Sequence, residues 1–342
     1  MRSEWILPKG HLSYWLRQLR NRASLIAPLR VDGDIVFKSL ENIHEVSLDN
    51  PALLPSPKEF LLPQQEGMFW TEGERIRPLL NKERRFIFGV RSCDVSALGL
   101  LDRFFLEGYG DPFYRERRRN TIFLSIVCNN PDPTCFCIGL GTGPYLEKGF
   151  DIQLTDLGDR YFVQAGNRQS QRLVRQWSFL FTTPRKVDYE DQYEVFLSSK
   201  ARFQKRISLE SVREYILAGK VRDSFWESVS ERCFECGGCV YECPLCTCFT
   251  VTDRSYSFGT ERVRLWDTCL FKGFTRMAGG VLPNEKRVLR TKRWYYHKLV
   301  HYPDVLGSFG CVGCGRCTVT CPGRIDMATI AIKLRDLQDN GR

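Results

Sequence analysis

The 342-residue chain sets 50 Lys and Arg against 40 Asp and Glu, a formal net charge of +10, and holds 15 cysteines. Its 43% apolar and 26% charged content excludes a disordered or fibrous chain and suits a globular one of roughly two or three domains. No apolar run approaches the ~18 residues that span a bilayer, and Glu, Lys and Arg interrupt MRSEWILPKGHLSYWLRQLRNR, so neither a membrane span nor a secretion signal is expected. The expected address is cytoplasmic.

In chain order, PALLPSPKEFLLPQQE (51–66) reads as an extended connector. Phe86-Ile-Phe-Gly-Val90 reads as a buried strand, VSALGLLDRFFLEG (95–108) as a helix, and TIFLSIV (121–127) as a second strand. Strand, helix and strand in that order predict a βαβ unit with a parallel sheet. FDIQLTDLGDRYFVQAG (150–166) alternates about Leu157-Gly158-Asp159, which predicts a hairpin. Residues 1–170 therefore read as an α/β domain containing four cysteines. RLVRQWSFLF, DQYEVFLSSKARFQKRI and SVREYILAGKVRDSFWESVSERC make 171–230 a helical connector, and ATIAIKLRDLQDN closes the chain as an amphipathic helix.

The cysteines are odd in number and bunched at gaps of two or three residues, against the spread, even pattern of a secreted disulfide scaffold. Cys233, Cys236, Cys239 and Cys243-Pro244 spell C-x2-C-x2-C-x3-C-P, and Cys311, Cys314, Cys317 and Cys321-Pro322 spell it again. This is the bacterial ferredoxin run for 4Fe–4S clusters. Three thiolates on one tight loop occupy three corners of a cubane. Gly237-Gly238 and Gly313 and Gly315 permit turns that sharp. In two-cluster ferredoxins the fourth cysteine of each run serves the other cluster. One expected set is thus Cys233, Cys236, Cys239 and Cys321; the other is Cys311, Cys314, Cys317 and Cys243. Structural zinc also uses C-x2-C pairs, but not two copies of the longer run with its Cys-Pro ending. Residues 231–342 are expected to form a mostly helical dicluster ferredoxin-like domain, which makes the fold class α+β.

Seven thiols lie outside these runs. Cys93, Cys128, Cys135 and Cys137 make a full ligand set near the carboxyl ends of two predicted strands, where sites commonly form. They read either as ligands of a third iron–sulfur cluster or as buried free thiols. Cys246, Cys248 and Cys269 lie about the first run, as contacts to its cluster or as an extra site completed by Cys243 or Asp267.

Other signals are weaker. The run NEKRVLRTKRWYYHK (284–298) is basic and aromatic: a grip for nucleic acid, with Trp294, Tyr295 or Tyr296 stacking on bases, or a cationic face beside anionic clusters. Its place between the two cysteine runs favours the second reading, with no nucleic acid as partner. Gly139, Gly141 and Gly143 follow no strand and precede Pro144, so they predict a tight turn rather than a dinucleotide loop. His297 and His301 lack the companion Glu of a zinc motif. No nucleophile–base constellation or P-loop is present.

The ordered set GVRSCDVSALGLLDRFF, CNNPDPTCFCIGLGTGP, CFECGGCVYECPLCTC, WDTC and CVGCGRCTVTCPGRID covers nearly the whole chain. It resembles the iron–sulfur β subunit of cytoplasmic NAD(P)-linked nickel–iron hydrogenases, or sulfhydrogenases. It is also similar to the A subunit of anaerobic sulfite reductase and to flavin oxidoreductase subunits paired with heterodisulfide reductase. Ser92 and Leu245 depart from the family pattern, where proline and threonine are usual, without removing a thiol. The resemblance implies a non-catalytic electron-transfer subunit with two 4Fe–4S clusters, room for a third, and no flavin or NAD of its own. A ferredoxin-reductase-like partner would bind FAD and NAD(P)H, and a terminal subunit would reduce protons or polysulfide, or alternatively sulfite or a heterodisulfide. A nucleic-acid-binding protein with structural clusters is the rival class.

Overall fold

The computed structural model describes residues 3–48 and 55–340. Its strands are β1 (Glu4–Pro8), β2 (Ser24–Val31), β3 (Asp34–Ser39), β4 (Gln65–Glu72), β5 (Arg75–Pro78), β6 (Arg85–Arg91), β7 (Thr121–Ile126), β8 (Ile152–Asp156), β9 (Arg160–Ala165), β10 (Phe249–Tyr256) and β11 (Gly259–Trp266). Its helices are α1 (Leu12–Arg20), α2 (Ser92–Leu106), α3 (Pro112–Arg119), α4 (Arg168–Arg175), α5 (Lys186–Ala201), α6 (Leu209–Leu217), α7 (Asp223–Glu231), α8 (Gly238–Tyr241), α9 (Arg287–Tyr296), α10 (Tyr302–Leu306), α11 (Arg316–Thr320) and α12 (Met327–Asn340).

Seven strands form a mixed sheet in the order β1-β9-β8-β7-β6-β2-β3. The expected βαβ unit is β6-α2-β7, with β6 parallel to β7, and β8-β9 is the expected antiparallel hairpin. β6 is buried along its whole length, so it reads as a continuous apolar run rather than an alternating one. Alternation elsewhere gives the sheet two apolar faces. Trp15, Leu16 and Leu19 of α1, with Leu173, Val174, Trp177 and Phe181, cover one face. On the other, Val95, Leu98 and Leu101 of α2 pack on Ile26, Ile87 and Phe123.

The helical remainder has its own core, built around Trp226, Trp294, Tyr295, Met327 and Ile330. Here α7 packs on α9, α6 on α12, and the short helices α8 and α11, which end the two cysteine loops, on each other. The fold class is α+β, as expected. A second sheet, order β10-β11-β4-β5, was not anticipated. Residues 51–54 of the expected connector lie outside the described residues. Its remainder is a short 3-10 turn, Pro57–Phe60, buried Leu61 and Leu62, and the start of β4. A salt-bridge network ties this sheet to the first domain: Glu66 of β4 meets Arg117 of α3 and Arg264 of β11, all buried. Among the described residues no helix is long and apolar enough to cross a membrane.

Candidate iron–sulfur sites

Each cysteine loop ends in a glycine with left-handed backbone that starts a short helix: Gly237 (φ 75°) before α8 and Gly315 (φ 77°) before α11. The turn throws three thiols toward one side of the loop. The first cavity, with ≈ 450 Å³ of unfilled space, is lined by Cys233, Cys236, Cys239 and Cys321, under apolar walls from Leu270, Trp294 and Ile325. The second, ≈ 350 Å³, is lined by Cys311, Cys314, Cys317 and Cys243, with Cys239 at its edge and Phe136, Trp294 and Met327 around it. The fourth cysteine of each run thus faces the other run's loop.

The amino-terminal thiols also converge. Cys93 lies in the first turn of α2, after β6, and Cys128 follows β7; these are the carboxyl ends of adjacent parallel strands. With Cys135 and Cys137 they line a third cavity of ≈ 310 Å³, closed by Pro131, Pro144 and Phe203. Cys314, from the second cavity, reaches its wall. The loop carrying Cys135 and Cys137 lies directly on the loop of the second run. Phe136 N donates to Gly313 O at 2.8 Å, and Thr142 Oγ1 to Val312 O at 2.7 Å. A Cβ on Gly313 would stand 2.5 Å from Cys137 N. Gly139 to Gly143 form the expected turn, a 3-10 segment ending on Gly141 at φ 66°.

Cys246, Cys248 and Cys269 line none of these three cavities. Cys246 donates its S–H to Cys243, and Cys269 donates to Cys248, which holds the Cys248 thiol at about 7. The Asp267 carboxylate accepts the Thr268 N–H at 2.7 Å. Of the basic run, Trp294 and Tyr295 are buried, so they cannot stack on bases, and the Tyr295 hydroxyl donates to Ile325 O.

The donor set suits iron–sulfur cubanes. Among the described residues no three His, Cys, Asp or Glu side chains close on a point that would hold a single metal ion, as Zn–S bonds of ~2.3 Å would require. The thiols ring partly open, largely apolar pockets instead. Burial pushes Cys135 and Cys311 up to about 12 and drives Cys239 and Cys317 up as well, so metal must displace a proton at each. Cys243 is the opposite case. The hydrogen bond from Cys246 and the nearby Lys298 and Lys58 ammonium groups hold it well below the ordinary thiol range. Backbone N–H groups already point at sulfur: Gly313 at Cys311 (3.4 Å), Leu245 at Cys243 (3.4 Å) and Ile325 at Cys321 (3.5 Å). Lys298 and Lys58 escaped the sequence reading, one inside the basic run and one inside the supposed connector. Neither stands out in the sequence, since Lys58 is followed by Glu59 and Lys298 follows His297 in a run of other basic residues.

Residues 232–325 match the family model described as a 4Fe-4S dicluster domain. The sulfhydrogenase 2 subunit beta of Pyrococcus furiosus is 30% identical over 335 residues, covering 96% of this chain and 98% of that protein. The chain belongs to the sulfhydrogenase β-subunit family. Like other members of this iron–sulfur family, it is an electron-transfer protein with a 4Fe–4S dicluster domain. The sulfhydrogenase β-type chain therefore places its dicluster domain directly against the cysteine-bearing edge of an α/β sheet.

Proposed function

We propose that this chain relays single electrons through three 4Fe–4S clusters. They would link a flavin- and NAD(P)H-binding partner to a terminal catalytic subunit in a cytoplasmic sulfhydrogenase-type complex. The observation that carries this reading is the sharing of walls. Cys239 borders the first and second cavities, and Cys314 borders the second and third. The three sites thus form a row rather than a scatter.

Residues 231–342 would hold two clusters, through Cys233, Cys236, Cys239 and Cys321 and through Cys311, Cys314, Cys317 and Cys243. Residues 1–170 would hold the third through Cys93, Cys128, Cys135 and Cys137, with 171–230 as a helical connector. When bound, such a cluster takes up and returns one electron at a time. The chain's own residues hold the thiolates, exclude water with Trp294, Phe136 and Phe203, and aim N–H groups at sulfur. Cys236 is exposed, beside Phe234 at 72% exposure, so the row reaches the surface at the first site. The relative's name, a sulfhydrogenase subunit, favours a hydrogenase-type terminal partner.

Iron and sulfide analysis with EPR of the anaerobically purified chain tests this. About twelve irons and about twelve sulfides are expected. About eight would remove the amino-terminal site, and a colourless zinc protein would end the reading.

A further inference from the structure

Two lysines are buried among the thiols, and among the described residues neither is in salt-bridge contact with a carboxylate, although Glu242 acts on Lys58 from farther off. Lys298 sits in the π-helical turn His297–His301 after α9, at 4% exposure, and lines the central cavity. Its ammonium donates to Cys243 Sγ at 3.3 Å and to Gly310 O at 2.8 Å. Lys58, at 3% exposure, donates to the carbonyl oxygens of Val240, Cys243 and Cys246 at 3.0, 2.7 and 3.1 Å. All three of its protons are used, and it lies 4.5 Å from the Trp266 ring centre, so its position is fixed. Among the described residues, the hydrogen-bond partners of both groups are carbonyl oxygens or the Cys243 sulfur.

The other two sites differ. Beside the third, the buried Arg316 is neutralised by the two-bonded Asp94. Beside the first, the buried Arg290 is paired with Glu235. Among the described residues the buried Arg91 at the third site also lacks a carboxylate partner, bonding the Leu48 carbonyl and the Cys128 thiol. The central cavity is set apart by two such cations, both directed at Cys243 or its carbonyl.

Burying an ammonium without a counter-charge is strongly unfavourable, so this pair calls for an anion nearby. A cubane with four thiolates is anionic overall and gains one more negative charge on reduction. Positive charge and an N–H···S bond beside it favour the reduced form and raise its potential. We propose that Lys298, seconded by Lys58, tunes the cluster held through Cys243 so that the central cluster of the row is the first to be reduced. The inference rests on the cluster reading above. Both lysines act as positioning and tuning groups through Cys243, and the central site becomes the place where a lone electron waits.

Potentiometric titration of the full chain, followed by EPR, tests this. Lys298→Met is expected to lower the potential of one cluster, the one lost in Cys243→Ser. Its reduced-to-oxidised ratio at fixed potential should fall at least tenfold, about 59 mV for one electron. Lys58→Met should move the same cluster less, Lys298→Arg should restore most of the shift, and the exposed, Asp223-paired Lys292→Met should move nothing. Unmoved potentials in Lys298→Met, an equal shift of all clusters, or a shift confined to another cluster overturns the proposal. If Lys298→Met does not take up its clusters, Lys298→Gln, which keeps a donor without the charge, replaces it under the same criteria. Intact signals with unmoved potentials sink this proposal alone, whereas a wild-type chain without 4Fe–4S signals sinks the relay reading with it.

Discussion

Arg316 and Asp94, 222 positions apart, face each other in a buried pair: Nη1 donates to Oδ1 at 2.7 Å and Nη2 to Oδ2 at 3.0 Å. Their side chains are 2% and 1% exposed. Asp94 also accepts the Arg91 N–H at 3.2 Å and so closes the start of α2 beside Cys93. Arg316 opens α11 beside Cys317. One ion pair thus clamps the α/β sheet to the dicluster domain. Removing one partner strands a buried charge, at about 3–5 kcal/mol. Asp94→Leu and Arg316→Met should each lose stability on that scale in anaerobic denaturation, and Asp94→Leu/Arg316→Met should lose less than their sum. Additive losses would show that the pair is not coupled.

Cys321 lies across the first cavity from its own run. Cys321→Ser should therefore release the cluster of the Cys233 loop, about four irons, and spare the signals of the other sites. Iron analysis with EPR checks this. Damage confined to the cluster of Cys311, Cys314 and Cys317 would refute the interleaved assignment.

Gly313 has φ 65°, and an added Cβ would stand 2.7 Å from both Cys137 Cα and Phe136 C. These are backbone atoms that cannot swing aside. Gly313→Ala should cost more than the ~1–2 kcal/mol of left-handed strain alone and should separate the second site from the third. Slower reduction of one cluster by the other in freeze-quench EPR is the expected reading. Unchanged kinetics and stability would mean that the loops do not need this contact.

Burial, helped by Lys298, His301 and Arg293, lowers His297 to about 4. Its ring stacks on His301 at 5.4 Å and meets Tyr302 at 5.0 Å. The unfolded imidazole takes its proton near pH ~6.5 and the folded one resists until about 4. The stability contributed by the neutral ring is complete above pH ~6.5 and is lost as acid approaches the folded value. His297→Phe should flatten the fall in denaturation midpoint between pH 6.5 and 4.5. An identical slope in wild type and variant would assign the acid response to other groups.

What the sequence disclosed was local. The two cysteine runs are legible because ligand spacing is a property of a single loop, and β6-α2-β7 because burial makes its strands continuous apolar runs. The second sheet was hidden for the opposite reason. β10 is exposed along nearly all its length, so FTVTDRSY carries no alternation, and its sheet is completed by β4 from far upstream. The convergence of Cys93, Cys128, Cys135 and Cys137 could be suspected from strand ends. The seating of their loop on Gly313 depends on a contact between distant segments that no spacing records. Trp294 and Tyr295 looked available to bases only because a helix drawn as letters does not say which side faces inward.

The proposed exchange of Cys243 and Cys321 between loops would have a consequence for biogenesis. A nascent chain that has emerged only as far as the first run offers its own pocket three sulfurs and not the fourth, because Cys321 has yet to be translated. Neither pocket of the pair can be finished before the other run arrives. Under that assignment, loading with iron would be deferred until the second run has been made, and a prematurely terminated product would be left without a finished pocket in this domain.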